Sequence, residues 1–196
     1  MKTIGFNMDG KVTKDSRVNL RAANFADVND IANLHAKSWQ ENYSAVLSAD
    51  YLKQQVLADR ILLWTKRLKA PCAEQCVLVL ENSTGIIGFI CLFGDKDETY
   101  GTLIDNLHVQ ACYQGCGFGA LLLNSAANWA HKYFPESALY LEVLAVNTHA
   151  IGFYSALDAK KSAQGYWQTP CGNQSPEYVY CWPSATALML ASAAKC

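Results

Sequence analysis

Apolar and polar positions along the chain change period several times, and each change marks an element. Arg17 to Ala23 alternates apolar and polar residues, the period of a half-buried strand. From Asp27 the spacing lengthens to three and four, with Val28, Ile31, Leu34 and Ala32, His35, Trp39 on neighbouring stripes, which predicts a helix capped by Asp27 with Asp30 three residues on. Asp50 to Lys69 predicts a second helix with Leu52, Val56, Ile61, Trp64 and Leu68 near one face, ended by Pro71. Cys76–Glu81 and Ile86–Phe93 are continuous apolar runs joined by Asn82-Ser83-Thr84-Gly85, the signature of a β-hairpin. Gly94 to Glu98 reads as an acidic turn and Thr99 to Val109 as another strand. The helical period returns over Gly117–Tyr133, followed by a strand at Ala138–Val146 and a short helix at Asn147–Leu157. Two strands near Ser162–Gln168 and Glu177–Trp182 complete the pattern, separated by the turn-rich Pro170-Cys171-Gly172-Asn173.

The order β-α-α-β-β-β-α-β-α-β-β, without internal repeat or low-complexity linker, predicts an α/β fold with a central mixed β-sheet flanked by helices. A length of 196 residues suits a single domain. Residues 1–16 read as a polar lead-in, and 184–196 as a short apolar tail.

Composition narrows the classes. Hydrophobic residues make up 51% and charged residues 17%, enough apolar material for a core and too much for a disordered chain. Sixteen Lys and Arg against seventeen Asp and Glu leave no basic surplus for a nucleic-acid partner. Met1–Asp9 lacks the apolar stretch of a secretory signal, and no run reaches 18 apolar residues, so the chain is expected in the cytoplasm with no membrane partner. The eight cysteines form no C-x-x-C pair. The Cys72/Cys76 and Cys112/Cys116 spacings lack histidines at ligand distance, so thiols filling core volume are expected, and no metal.

The chemistry concentrates after the strand ending at Val109. Gln114-Gly115-Cys116-Gly117-Phe118-Gly119 places three glycines at alternate positions where a helix begins, so main-chain N–H groups converge without β-carbons in the way. Unpaired N–H groups and the helix dipole suit such a loop to phosphate. A P-loop would need Gly-Lys-Ser/Thr, and no lysine is present; the dinucleotide pattern G-x-G-x-x-G is not matched either. A ligand-free strand-to-helix turn is the plain alternative.

Gln114-x-x-Gly117-x-Gly119 resembles the Q/R-x-x-G-x-G/A acetyl-CoA loop of the GNAT N-acetyltransferase superfamily, preceded as in that family by Leu-x-Val, here Leu107-His108-Val109. Leu141-Glu142-Val143 through Asn147 and Ala150 to Phe153-Tyr154 is similar to the family's L-x-V-x-x-x-N-x-x-A-x-x-F-Y segment. The stretch from Trp39 through Tyr43 to Leu47 and Tyr51-Leu52 also looks like the amino-terminal half of many relatives. Where relatives commonly continue Leu-Gly-Phe, this chain has Ser155-Ala156-Leu157.

The resemblance implies a GNAT-like fold and an acetyl-CoA-dependent N-acyltransferase acting on a primary amine, of a small molecule or of a protein N-terminus or lysine. It further implies that main-chain amides of Gln114, Gly115, Cys116, Gly117, Phe118 and Gly119 bind the CoA pyrophosphate. Leu107 and Val109 would then line the cofactor site, with the Val109 main chain holding the pantetheine. Asn147, where a strand becomes a helix, suits an N-cap and, by the resemblance, a cofactor contact. Tyr154 shares a helical face with Ala150, Phe153 and Leu157, which suits the core; as a neutral phenol it also suits the general acid that protonates the departing thiolate. Some relatives place a glutamate base in an L-E-V context, which makes Glu142 the candidate base, and a solvated strand glutamate the plain alternative. Asp105, His108 and His149 are secondary candidates. A main-chain N–H near Leu144 is expected to steady the oxyanion.

No Ser-His-Asp or Cys-His arrangement is evident, so direct transfer in a ternary complex is expected. Two other readings stay open: a catalytically silent acyl-CoA sensor, and a nucleotide-binding module. Cys116, near a helix N-terminus, is either a reactive thiol or an inert packed one. The acidic run Asp95-Lys96-Asp97-Glu98 suits cationic amines or a merely solvated loop. A homodimer is the base-rate expectation for oligomeric state.

Overall fold

The structure is a computed structural model that describes residues 18–193 and 195; the lead-in expected over residues 1–16 lies outside them. Seven strands form one mixed sheet in the order β1-β2-β3-β4-β5-β7-β6. They are β1 (Asn19–Ala22), β2 (Gln75–Asn82), β3 (Gly85–Asp97), β4 (Gly101–Val109), β5 (Leu139–Leu144), β6 (Lys160–Gln168) and β7 (Gln174–Trp182). The helices are α1 (Val28–Asn42), α2 (Val56–Lys69), α3 (Phe118–Tyr133), α4 (Thr148–Ser155) and α5 (Ala185–Ala193). A π-helical turn, Tyr51–Gln55, leads into α2.

Helices cover both faces, which explains why β3 reads as an unbroken apolar run. Ile90 and Leu92 pack with α3 residues such as Leu122 and Leu123, whereas Phe89, Cys91 and Phe93 pack with Ile31 of α1 and Trp64 of α2. A strand buried on both sides gains from apolar residues at every position. The sheet is antiparallel except for the β4–β5 pair, which is parallel and reached through α3.

Three details differ from the sequence expectations. The N-terminal cap sits one turn earlier than Asp27: the Asn24 side chain accepts from Ala26 N, and the Asp27 carboxylate accepts from Asn24 N at 2.8 Å. Asp27 also binds the Arg21 guanidinium at 2.7 Å, and Arg21 in turn holds Glu81 of β2 at 2.7 Å, so the residue ties β1 to α1 instead of capping it. The expected acidic turn at Gly94–Glu98 is mostly strand. β3 runs to Asp97, which pairs with Gly101, because Gly94 leaves room for the Phe134 ring, only 2.1 Å from where a Cβ would stand.

The third difference is the tail. Ala185–Ala193 is a helix, α5, packed on α3 through Leu188 and Ala185. Its residues are apolar all round, so no periodicity announces it. The seven cysteines among the described residues are free thiols. No helix among them is long and apolar enough to cross a membrane.

Candidate active site

β4 and β5 pair only at Thr102↔Leu139 and Leu103↔Tyr140 and then diverge. A bulge in β4 assists. Cys91 faces Asn106 and Leu92 faces Ile104, which leaves Asp105 unopposed and bends the strand at that point. The peptide groups of β5 alternate in direction. Ala145 N donates to Pro176 O of β7 at 2.9 Å, and Thr102 N of β4 donates to Ala138 O at 2.9 Å. By that alternation the N–H groups of Glu142 and Leu144 point toward the departed β4, into a gap that offers no strand partner. A cleft of about 1180 Å³ opens there, lined by Leu103–Val109 of β4, Leu141–Leu144 of β5 and the glycine loop.

The loop is fixed by its own sequence. Gly115 and Gly117 have φ of 74° and 86°, left-handed values that side-chain-bearing residues rarely adopt. Gly117 is the N-cap of α3 and has no side-chain capping bond, so the first-turn N–H groups of α3 face the cleft mouth without a side-chain acceptor. A Cβ on Gly119 would lie 3.0 Å from Phe153 Cζ, so its absence lets α3 and α4 approach. Gln114 Nε2 donates to Val109 O at 3.1 Å, tying the loop to the end of β4. Buried Tyr113 anchors the other side, its hydroxyl accepting from Asn82 Nδ2 at 2.9 Å.

Leu107, Val109, Gln114, Gly115, Gly117, Gly119, Glu142, Asn147 and Tyr154 all line this one cleft. Phe118 and Cys116 do not line it: the Phe118 ring is buried in the core, and the half-buried Cys116 packs against that core with Sγ 3.7 Å from Gln114 O. Asn147 caps α4, its Oδ1 accepting from Ala150 N at 3.1 Å, which leaves its two N–H donors for other partners. The Tyr154 ring packs edge-on against Trp182, and its hydroxyl has no hydrogen bond among the described residues. Burial, with Tyr43 adding to it, pushes the Tyr154 phenol above its ordinary value, so it is protonated at neutral pH.

Glu142 faces the cleft, and its carboxyl is raised above the ordinary carboxylate value by burial, then by the negative charges of Asp105 and Asp97. Glu177, one register step along β7 on the same face, is raised by burial and by Glu142. Neither glutamate belongs to an ion pair among the described residues.

Beyond them the cleft is bounded by residues that sequence reasoning did not bring together. Trp167 of β6 packs against Trp39 of α1 and Tyr43, which follows that helix, with ring centroids 5.5 and 6.3 Å apart. Arg60 stacks over Trp39, its Cζ 4.2 Å from the ring centre, and pairs with Asp59 at 2.9 Å. Arg67 pairs with Asp105 at 2.6 Å and Asn106 at 2.9 Å. Arg60 and Arg67 flank Trp64 on α2 at helical spacing, and two arginines beside buried Trp64 were the signal available in the sequence.

The secondary candidates fare differently. Asp105 is held by Arg67, and His149 is exposed in the first turn of α4. His108 lines the cleft with Nδ1 2.8 Å from Ser38 Oγ and its ring 4.6 Å from that of buried His35. Trp64 Nε1 donates to His35 Nδ1 at 3.1 Å, so neutral His35 carries its proton on Nε2. Burial, then the Arg60 charge, lowers His108 to about 4, and burial lowers His35 as well. Among the described residues no group of three or more His, Cys, Asp or Glu side chains is arranged to hold a metal ion.

Residues 28–158 match the model of the acetyltransferase (GNAT) family. The uncharacterized N-acetyltransferase YuaI of Bacillus subtilis is 26% identical over 174 residues, covering 87% of this chain and 96% of its own length. An N-acetyltransferase from Staphylococcus aureus superposes with a TM-score of 0.64 at 19% identity, over 87% of this chain and 99% of that one. The PaiA N-acetyltransferase of Thermoplasma acidophilum, solved in complex with coenzyme A, gives 0.62 at 18% identity, over 82% and 98%.

Proposed function

The chain belongs to the GNAT acetyltransferase family, a family of acetyl-CoA-dependent acyltransferases, and from that premise we propose that it transfers the acetyl group of acetyl-CoA to a primary amine by direct attack in a ternary complex. The observation that carries this reading is the divergence of β4 and β5 after Leu103 and Tyr140, opening onto the uncapped start of α3. An extended pantetheine arm fits a gap bordered by strand edges, and a diphosphate fits the N–H groups behind Gly117. Open space at Gly115 suits close approach of such a ligand to the main chain. The coenzyme A complex of the Thermoplasma relative supports the same cofactor.

The acceptor amine arrives from the side of Trp39, Tyr43 and Trp167. A lysine-like amine has a pKa of about 10.4 and reaches the cleft as a cation, which the unpaired Glu142 and Glu177 favour. Glu142, its carboxyl raised above the ordinary carboxylate value by burial, takes the amine proton. The nitrogen lone pair then attacks the thioester carbonyl carbon. The Leu144 N–H, pointing into the gap, donates to the oxygen as it gains charge. As the C–N bond completes, the C–S bond breaks and the sulfur takes the proton of Tyr154. Solvent restores that proton, and Glu142 releases its own. Much of the rate enhancement comes from holding amine and thioester together.

A CoA-release assay with acetyl-CoA and a panel of diamines, aminoglycosides, amino acids and peptide N-termini tests the reading. Amine-dependent thiol release supports it. A melting-temperature shift with acetyl-CoA and no release with any amine would instead favour a silent acyl-CoA sensor.

A further inference from the structure

α5 lies beyond residue 158, where the match to the family model ends. β7 finishes with Trp182 opposite Leu139, the first residue of β5, so α5 starts at the end of the sheet remote from the glycine loop. It then packs on α3, where Asn124 Nδ2 donates to Met189 O at 3.1 Å and to Ser192 Oγ at 3.0 Å. Since α3 runs away from the loop, α5 runs back toward it. The chain emerging from α5 therefore returns to the mouth of the cleft, which Lys195 lines together with Gly117 and Gly119.

The charges around this mouth make the placement informative. From Gly101 to Ala159, the stretch that supplies β4, the loop, α3, β5 and α4, the one Lys or Arg is Lys132. It sits in the last turn of α3, at the far end from the loop, 4.9 Å from the Tyr133 ring centre. Among the described residues, three Lys or Arg side chains line the cleft. Arg60 is paired with Asp59 and Arg67 with Asp105, both on α2 at the acceptor side. Lys195 has no ion pair among the described residues. Among the described residues, a ligand carrying a diphosphate and a further phosphate meets main-chain dipoles alone in the loop, and one uncommitted ammonium at its edge.

We propose that Lys195, delivered by α5 to the cleft mouth, is a phosphate-binding residue of the cofactor site. It rests on the reading that coenzyme A occupies the cleft. A lysine is a point charge with rotatable donors and suits a phosphate held at a solvent-facing rim. Two phosphate sources fit this chemistry, the 3′-phosphate of the ribose and the diphosphate.

Calorimetric titration of the full chain and its Lys195→Ala, Lys195→Glu and Lys195→Arg variants with CoA and with 3′-dephospho-CoA tests the assignment. Lys195→Ala is expected to weaken CoA about fivefold and Lys195→Glu more, with Lys195→Arg restoring most of the affinity. If the 3′-phosphate is the partner, the alanine variant loses the preference for CoA over its dephospho form. If the diphosphate is the partner, both ligands weaken by the same factor. The KM for acetyl-CoA rises in step, and its salt dependence flattens. Wild-type binding of CoA with all three variants unaltered overturns the lysine assignment and leaves the cofactor reading standing; no wild-type binding overturns both.

Discussion

Arg67 Nη1 lies 2.6 Å from Asp105 Oδ2, and this contact ties one carboxylate of the cleft to a cation while Glu142 and Glu177 have none among the described residues. Asp105 stands at the β4 bulge, bound by a guanidinium that also reaches Asn106. Glu142, on the opposite edge of the gap, has no such cation. The negative charge of Asp105 still acts on it, disfavouring ionisation and raising its pKa.

Removing that charge is therefore expected to lower the Glu142 pKa. In Asp105→Asn the acid limb of the profile of kcat/KM against pH moves to lower pH. Asp97→Asn moves it the same way by less, since Asp97 is the smaller contributor. Glu142→Gln lowers kcat by about 100-fold or more and removes the limb. Profiles that superimpose in wild type and Asp105→Asn would contradict this placement of the base.

Tyr154→Phe keeps the ring against Trp182 and deletes a hydroxyl that has no hydrogen bond among the described residues. The melting temperature should stay close to wild type while kcat falls, by about 100-fold if the phenol supplies the thiolate's proton. A thioester with a more acidic thiol needs that proton less, so the variant should lose less with it. Equal turnover by the two proteins would contradict the acid role.

Gly117 is the N-cap of α3 at φ 86°, so Gly117→Ala forces a side chain into the left-handed region at a cost of about 1 kcal/mol or more. The melting temperature and the acetyl-CoA affinity should fall together. Loss of stability with unchanged affinity would separate the loop conformation from cofactor binding.

The pair of buried His35 and half-buried His108 makes the fold acid-sensitive. Both imidazoles ionise near 6.5 in the unfolded chain and lower in the folded one, His108 at about 4. Below pH 6.5 the unfolded chain binds more protons, so stability is complete above that value and is lost as the pH falls toward 4. Melting temperature followed from pH 7.5 to 4.5 should show this decline, and His108→Gln should reduce it. A flat curve over that interval would contradict the neutral pair.

The order of elements was legible because α1, α2 and α3 carry one apolar stripe each and the strands carry period-two or continuous apolar runs. The glycine loop was legible because positions 115, 117 and 119 each answer a local demand, of φ or of close approach. α5 was not, since a segment of Ala, Leu and Met broken only by Thr186 and Ser192 has no polar face to set a period. The cleft wall formed by α1, α2 and β6 was not either. Trp39, Arg60, His108 and Trp167 come from α1, α2, β4 and β6, and only tertiary packing makes them neighbours. Asp27 reads as a cap within its own helix, and its bond to Arg21 belongs to the β1–α1 junction that no helical period records.

The central claim is that the gap between β4 and β5, with the main-chain N–H groups behind Gly117, holds acetyl-CoA. Isothermal titration calorimetry of the full chain with acetyl-CoA tests it most directly. The expected result is one site per chain with a Kd below about 1 mM, the upper end of ordinary substrate affinities. The absence of any binding heat at millimolar acetyl-CoA, at two temperatures so that a vanishing enthalpy is not mistaken for no association, would contradict it.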